Sequence, residues 1–236
     1  MKKLIFTLLM FLTLSLNAQE LVVKFLGFPV DGSKSDMISN LKQKGFTYDK
    51  EYDLLDGYFN GDHVHVYIST NKDVVDRIMV CQVNTCNEAN IKTRFNNLVY
   101  QFNNNKKYFA AEDDQYIADD VDISYEMLVN NKHFDATFHQ VHTKDEIKEM
   151  RQMIYDNYNT IVNELTNSVE LSEVGVDLEM FKKDKTDENI DALVYLVETM
   201  YMMSNAVWFR IQSYGSEYYL SIFYDNLSNR PNGEDL

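Results

Sequence analysis

The chain has 236 residues, 22 basic and 37 acidic side chains, a formal net charge of −15, 45% hydrophobic residues and 13% aromatic residues. That apolar content is enough for one large packed domain or two small ones, and it excludes wholesale disorder and collagen-like structure. The negative charge sets nucleic acid and anionic membrane surfaces aside as main partners, because both repel it.

The first residues carry an address. Met1-Lys2-Lys3 is a short basic start, Leu4 to Leu16 is an almost unbroken apolar run, and Asn17-Ala18 precedes Gln19. This pattern predicts a secretory signal peptide, residues 1–18, cut after Ala18. The run is shorter than the roughly 20 residues that span a bilayer. The first cysteine is Cys81, so no lipobox lies near the cut, and no second long apolar stretch follows. A periplasmic or extracellular chain without a transmembrane segment is expected. Residues 19–110 hold 11 acidic and 11 basic side chains, whereas 111–236 hold 26 and 9. The asymmetry predicts two units of similar size: an N-terminal unit, 19–110, and an acidic C-terminal unit, 111–236, joined near Glu112 to Asp122.

In the first unit, Leu21 to Phe28 has strand character and Pro29 to Gly32 a turn. Ser33 to Asp36 resembles a capping box, opening a helix with Met37, Ile38 and Leu41 on one stripe and Gly45 at its end. Asn60-Gly61 between alternating residues predicts a tight hairpin. Its register sets Leu55, Gly57 and Phe59 opposite Val66, Val64 and Asp62, and on the other face Asp56 opposite His65 and Tyr58 opposite His63. Val74 to Val80 adds a third strand. Ile91, Phe95, Leu98, Val99 and Phe102 mark a following helix.

In the second unit, Ile123 to Val129 and Phe134 to Val141 alternate as two strands around Asn130-Asn131-Lys132. Thr143 to Glu146 is a capping box opening a helix through Ile147, Met150, Ile154, Tyr158, Ile161 and Leu165. Asn167 to Lys185 is ambiguous and acidic. Thr186 caps a helix carrying Ile190, Leu193, Val194, Val197 and Tyr201. Val207 to Tyr224 forms a last hairpin turning at Gly215-Ser216, and a polar tail follows. The fold class expected is α+β, with antiparallel hairpins and sheets carrying helices on one face.

No catalytic or phosphate-binding motif is present, so the chain is expected not to be an enzyme and no cofactor is implied. Four features remain. His63 and His65 share a strand face and, with Asp56, offer a metal or acid–base site; the alternative is a solvated Asp56–His65 pair. Cys81 and Cys86 are spaced for a local disulfide, with four residues between them rather than the two of a redox motif. The acidic run from Glu112 to Asp122 lacks EF-hand spacing and suits a solvated linker better than calcium. Trp208, Arg210, Tyr219 and Phe223 share one face of the last hairpin, whose other face is also apolar. They are either covered by another element or form an aromatic platform for a protein, peptide or glycan. The acidic half would suit a cationic partner.

Phe25 to Lys34, Leu41 to Phe46, Arg94 to Leu98 and the ending Tyr224-Asp225-Asn226 with Asn229 to Leu236 together resemble secreted proteins of gut Bacteroides that have no assigned activity. This resemblance implies a setting and no catalytic residues. In element order alone, the helix-then-hairpin first unit is similar to the modules of beta-lactamase inhibitor proteins and of outer-membrane assembly lipoproteins. That likeness implies binding: a hydrolase inhibitor or an envelope-assembly factor.

Overall fold

A computed structural model describes residues 22–167, 181 and 184–230. The signal-peptide segment, most of the ambiguous stretch after Asn167 and the end of the polar tail lie outside the described residues. The fold is α+β, with ten strands and six helices among those described. The described residues divide into two compact units, one of those within 23–140 and 205–230 and one of those within 141–204 together with Val22. The boundary expected near residue 110 does not divide the molecule. Strand Val74–Gln82 (β6) pairs directly with Glu217–Asn226 (β10), so one sheet runs across that point. The charge step along the sequence marks added segments and not a domain edge.

The sheet unit begins with a small hairpin, β1 (Lys24–Phe25) and β2 (Phe28–Pro29). The strand expected from Leu21 to Phe28 is broken by Leu26 and Gly27, both at positive φ. Helix α1 (Lys34–Gln43) follows, with Ser33 accepting from the Asp36 amide, Met37 and Leu41 buried, and Gly45 at φ 95° beyond its end. Strands β3 (Thr47–Asp49), β4 (Leu54–Phe59), β5 (Asp62–Asn71) and β6 come next. The Asn60-Gly61 hairpin has the expected register, Leu55 against Val66 through Phe59 against Asp62. Helix α2 (Glu88–Asn103) is capped by Asn87 and buries all five stripe residues. Then come β7 (Tyr108–Ala110), helix α3 (Ile123–Leu128), β8 (Asp135–Gln140), β9 (Asn205–Tyr214) and β10.

Ile123 to Val129 is therefore not a strand. Asp122 caps its first turn at the Tyr125 amide, and Glu88 accepts from the Ile123 and Ser124 amides. These contacts hold six residues helical against their alternating pattern. The last hairpin pairs as expected, Val207 with Tyr224 and Trp208 with Phe223, around Gly215 at φ 62°.

The order across the sheet is β3-β4-β5-β6-β10-β9-β8-β7, all antiparallel. It follows from a duplication in element order: α1-β3-β4-β5-β6 and then α2-β7-β8-β9-β10. The halves meet at β6 and β10, where Val80 lies opposite Ile222, with Cys81 against Ser221 and Met79 against Phe223. Counting outward, Val80 pairs with Val66 and Leu55 beyond it, as Ile222 pairs with Phe209 and Ala136 beyond it. A pseudo-twofold axis thus passes through the Val80–Ile222 pair. One extra residue in β6 is taken up by a bulge at Ser69/Thr70.

One face of the sheet joins α1 and α2 in a single core that includes Met37, Leu41, Val66, Ile78, Phe95, Phe102, Phe138, Phe209 and Tyr224. Phe102 stacks on Phe138 with centroids 4.7 Å apart, and Phe95 meets Phe209 edge-on at 5.1 Å. Gly57 leaves the room that the Phe46 ring fills, since a Cβ there would lie 2.6 Å from it. The acidic run keeps its carboxylates exposed, as expected of a solvated linker, and is tied to the frame at two points: Ile117 exchanges two hydrogen bonds with the Asn96 amide, and Gln115 bonds the Thr137 backbone of β8.

The helical unit contains α4 (Lys144–Asp156), α5 (Tyr158–Asn167) and α6 (Asp187–Ser204). The expected capping box forms between Thr143 and Glu146, but the expected single helix breaks at Asn157. Met150, Ile154, Tyr158, Ile161, Phe181, Ile190, Leu193, Val197 and Tyr201 form its core. Arg151 ties α4 to α6 through Asp187 and Asp191, at 2.8 and 2.7 Å. His142 is buried, bonds both oxygens of Glu198 and stacks on Tyr201 at 3.8 Å. Among the described residues, no helix is long and apolar enough to cross a membrane.

Candidate functional site

The sheet's second face is set by strand alternation. Residues that alternate with the core on β4, β5, β6, β10, β9 and β8 form ladder rows. One row runs Asp56, His65, Cys81, Ser221, Arg210 and Asp135, each opposite the next. A neighbouring row runs Tyr67, Met79, Phe223, Trp208 and Thr137, and a third Ser69, Arg77, Asp225, Ala206 and His139. The Tyr67, Met79, Phe223 and Trp208 side chains lie outside the core formed with α1 and α2.

The centre of this face is an aromatic and arginine cluster. Trp208 and Phe223 stack nearly parallel, centroids 4.0 Å apart and planes at 11°. The Arg77 guanidinium stands 5.2 Å from the Phe223 centroid and 5.7 Å from that of Trp208, and Arg210 stands 5.3 Å from Trp208. Beneath them, Asp225, its side chain 2% exposed, accepts from the Trp208 indole N–H at 2.6 Å. It also pairs with Arg77 and Arg230, each at 2.6 Å. Burial pushes the Asp225 carboxyl above its ordinary pKa, against the pull of Arg77 and the indole. The carboxylate thus fixes the indole edge and two guanidinium groups at once. Arg210 in turn is held by both oxygens of Asp135. Tyr219 is half-buried on the same face, where burial raises its pKa and Cys81 and Tyr67 add to the shift.

Trp208, Arg210, Tyr219 and Phe223 therefore share one surface, as expected, with Phe223 buried and the other three half-buried. Asp225, Arg77 and Arg230 escaped the sequence reading. Asp225 does alternate in step with Phe223, but Arg77 reaches it only through the β6–β10 pairing, 148 residues apart in sequence.

At the other end of the face, Asp56 Oδ2 takes contacts from His63 Nε2 at 2.7 Å and His65 Nε2 at 3.3 Å, and Tyr58 stacks on His63. The shorter contact is diagonal, to His63, and not to His65 directly opposite. Among the described residues no group of three or more His, Cys, Asp or Glu is placed to hold a metal ion. The two rings converge on one carboxylate oxygen, His63 through a hydrogen bond and His65 through the longer contact. Cys81 continues the row Asp56–His65, an order that suits a thiol nucleophile. Burial, however, pushes the Cys81 thiol up against the lowering effect of its hydrogen bond with Ser221 at 3.3 Å, and a raised thiol is the reverse of an activated one.

The local disulfide does not form; Cys81 and Cys86 are both free. Cys86 exchanges two backbone bonds with Tyr218 and joins the core, whereas Cys81 lies on the opposite face beside Ser221. A cleft of about 160 Å³ lies on the helix side, between α2 and the sheet. Val80 and Ile222 are in its floor, with Asp62, Gln82 and Arg94 on its rim. It does not include Asp56, His63 or His65. Comparison with protein-family models, with curated proteins and with solved structures found no match to this chain.

Proposed function

We propose that this protein is a non-catalytic binding module of the periplasm or extracellular space. Its working surface is the sheet face opposite α1 and α2, and its partner is a protein or extended peptide. The observation that carries the reading is the Trp208–Phe223 stack, with Arg77 and Arg210 against it, Asp225 anchoring Trp208 and Arg77, and Asp135 holding Arg210. Tryptophan, tyrosine and arginine held rigidly are the residues that concentrate binding energy at protein interfaces. Phe223 covers one face of the indole, which halves the aromatic surface open to a sugar ring. The charged end residues Met1-Lys2-Lys3 and the apolar run after them support export.

A second reading, a hydrolase inhibitor or envelope-assembly factor, is favoured by one observation. The helix-then-four-strands order occurs twice and joins into one wide face. It is a narrower case of the first reading.

The test compares recovery of partners from native envelope or culture fluid by tagged residues 19–236 and by the Trp208→Ala variant. Loss of a specific partner in the variant, with an unchanged circular dichroism spectrum, is the expected result. Equal recovery by both chains removes this face from the function.

A further inference from the structure

Helix α3 presents part of its apolar surface outward. Ile123 is buried and Met127 packs against the core, but Tyr125 is 54% exposed, Leu128 84% and Val129 62%. Three adjoining exposed residues of this size form a patch of the kind that marks an interaction site.

The helix is also held firmly. Asp122 caps it at Tyr125; Glu88 accepts from the Ile123 and Ser124 amides and from the Ser124 hydroxyl; Ser124 also contacts the Tyr218 hydroxyl at 2.7 Å. Past its end, the Lys132 amide donates to the Glu126 carbonyl. A rigid projection loses little freedom on binding.

The segment that carries it is acidic. Residues 111–131 contain seven acidic side chains and no basic one. Of the lysines nearby, Lys92 donates to the Asp119 and Val121 carbonyls, and Lys132 lies over the Phe134 ring.

The geometry points to a second docking surface, in which Tyr125, Leu128 and Val129 insert into an apolar pocket of a partner protein rimmed by lysine or arginine. Charge complementarity selects the occupant: an acidic border steers towards a cationic rim and away from anionic lipid or nucleic acid. This surface is separate from the Trp208 face and does not rest on it.

The probes are two short synthetic amphipathic helices, one of Leu and Lys and one of Leu and Glu, added to the full chain and followed by amide chemical shifts. The Leu–Lys helix is expected to shift residues 119–131 and to bind more weakly as NaCl rises. Its affinity should fall about tenfold in Leu128→Ser, and in Val129→Ser as well, each at unchanged Tm, while the Leu–Glu helix does not bind. Equal binding of both helices, unchanged affinity in both variants, or shifts confined to the Trp208 face would overturn the proposal. Two other results would also overturn it by naming a different occupant: Leu128-dependent binding to phosphatidylcholine vesicles, or Leu128-dependent self-association.

Discussion

The two halves of the sheet share one plan and differ in their connections. In the first half, β3 joins β4 through residues 50–53 and β4 joins β5 through Asn60-Gly61 alone. In the second half the matching connections are residues 111–134 and 141–204. These two additions hold 21 acidic and 7 basic side chains, whereas the rest of the chain holds 16 and 15. The duplicated frame is thus close to neutral and the acidity belongs to what was added to one half. Net charge here describes appendages on a scaffold. It directs attention to the segment that carries the exposed α3 residues.

The largest expected effect contrasts the two ends of the open face. Asp225→Ala removes a buried carboxylate that serves two guanidinium groups and an indole, and it should cost about 2–3 kcal/mol, the arginines being partly able to reach water. Asp56→Ala, at the half-exposed histidine end, should cost under about 1 kcal/mol. Urea denaturation of both variants measures the difference, and equal costs would mean that the arginine cluster is no more built than the histidine one.

A smaller effect concerns the added segment. Hydrogen bonds from Ser124 and from the Ile123 and Ser124 amides, with the Lys92 charge, hold the Glu88 carboxyl below its ordinary pKa. A depressed carboxylate stabilises the folded state above its unfolded pKa and loses that contribution as pH falls through its folded pKa. The protection factors of the Ile123 and Ser124 amides, corrected for intrinsic exchange, should therefore fall below about pH 4.5, and Glu88→Gln should flatten that dependence. Unaltered acid behaviour in Glu88→Gln would detach α3 from this carboxylate.

The smallest effect should come from the largest cut. Replacing residues 141–204 by Asn-Gly between Gln140 and Asn205 gives the second half the turn of the first. His139 and Ala206 already pair beside the junction. Amide protection of β6 and β10 should remain as in the full chain. Loss of that protection would show that the sheet unit does not stand without the insertion.

Much of this frame was legible locally. The Asn60-Gly61 and Gly215-Ser216 turns fixed both hairpin registers, and the Ser33 and Thr143 caps and the α2 stripe marked helix starts and buried faces. What failed depended on distant partners. Alternation at Ile123, Tyr125, Met127 and Val129 suggested a strand, but Glu88, 35 residues away, holds the segment helical. The cysteines, five positions apart, looked bridgeable until Tyr218 drew Cys86 to the other face. The four platform residues could be named from one hairpin's alternation. Their anchor could not, because Arg77 and Asp225 meet only where the two halves join.

The central claim is that the face opposite the helices is the working surface. Hydroxyl-radical footprinting of the chain bound to its recovered partner, against the free chain, tests it directly. Protection of Trp208, Tyr219, Tyr67 and Met79, with Tyr100 on α2 oxidised at its free rate, is the predicted result. Unchanged oxidation of those four, with protection on α2 instead, would contradict it.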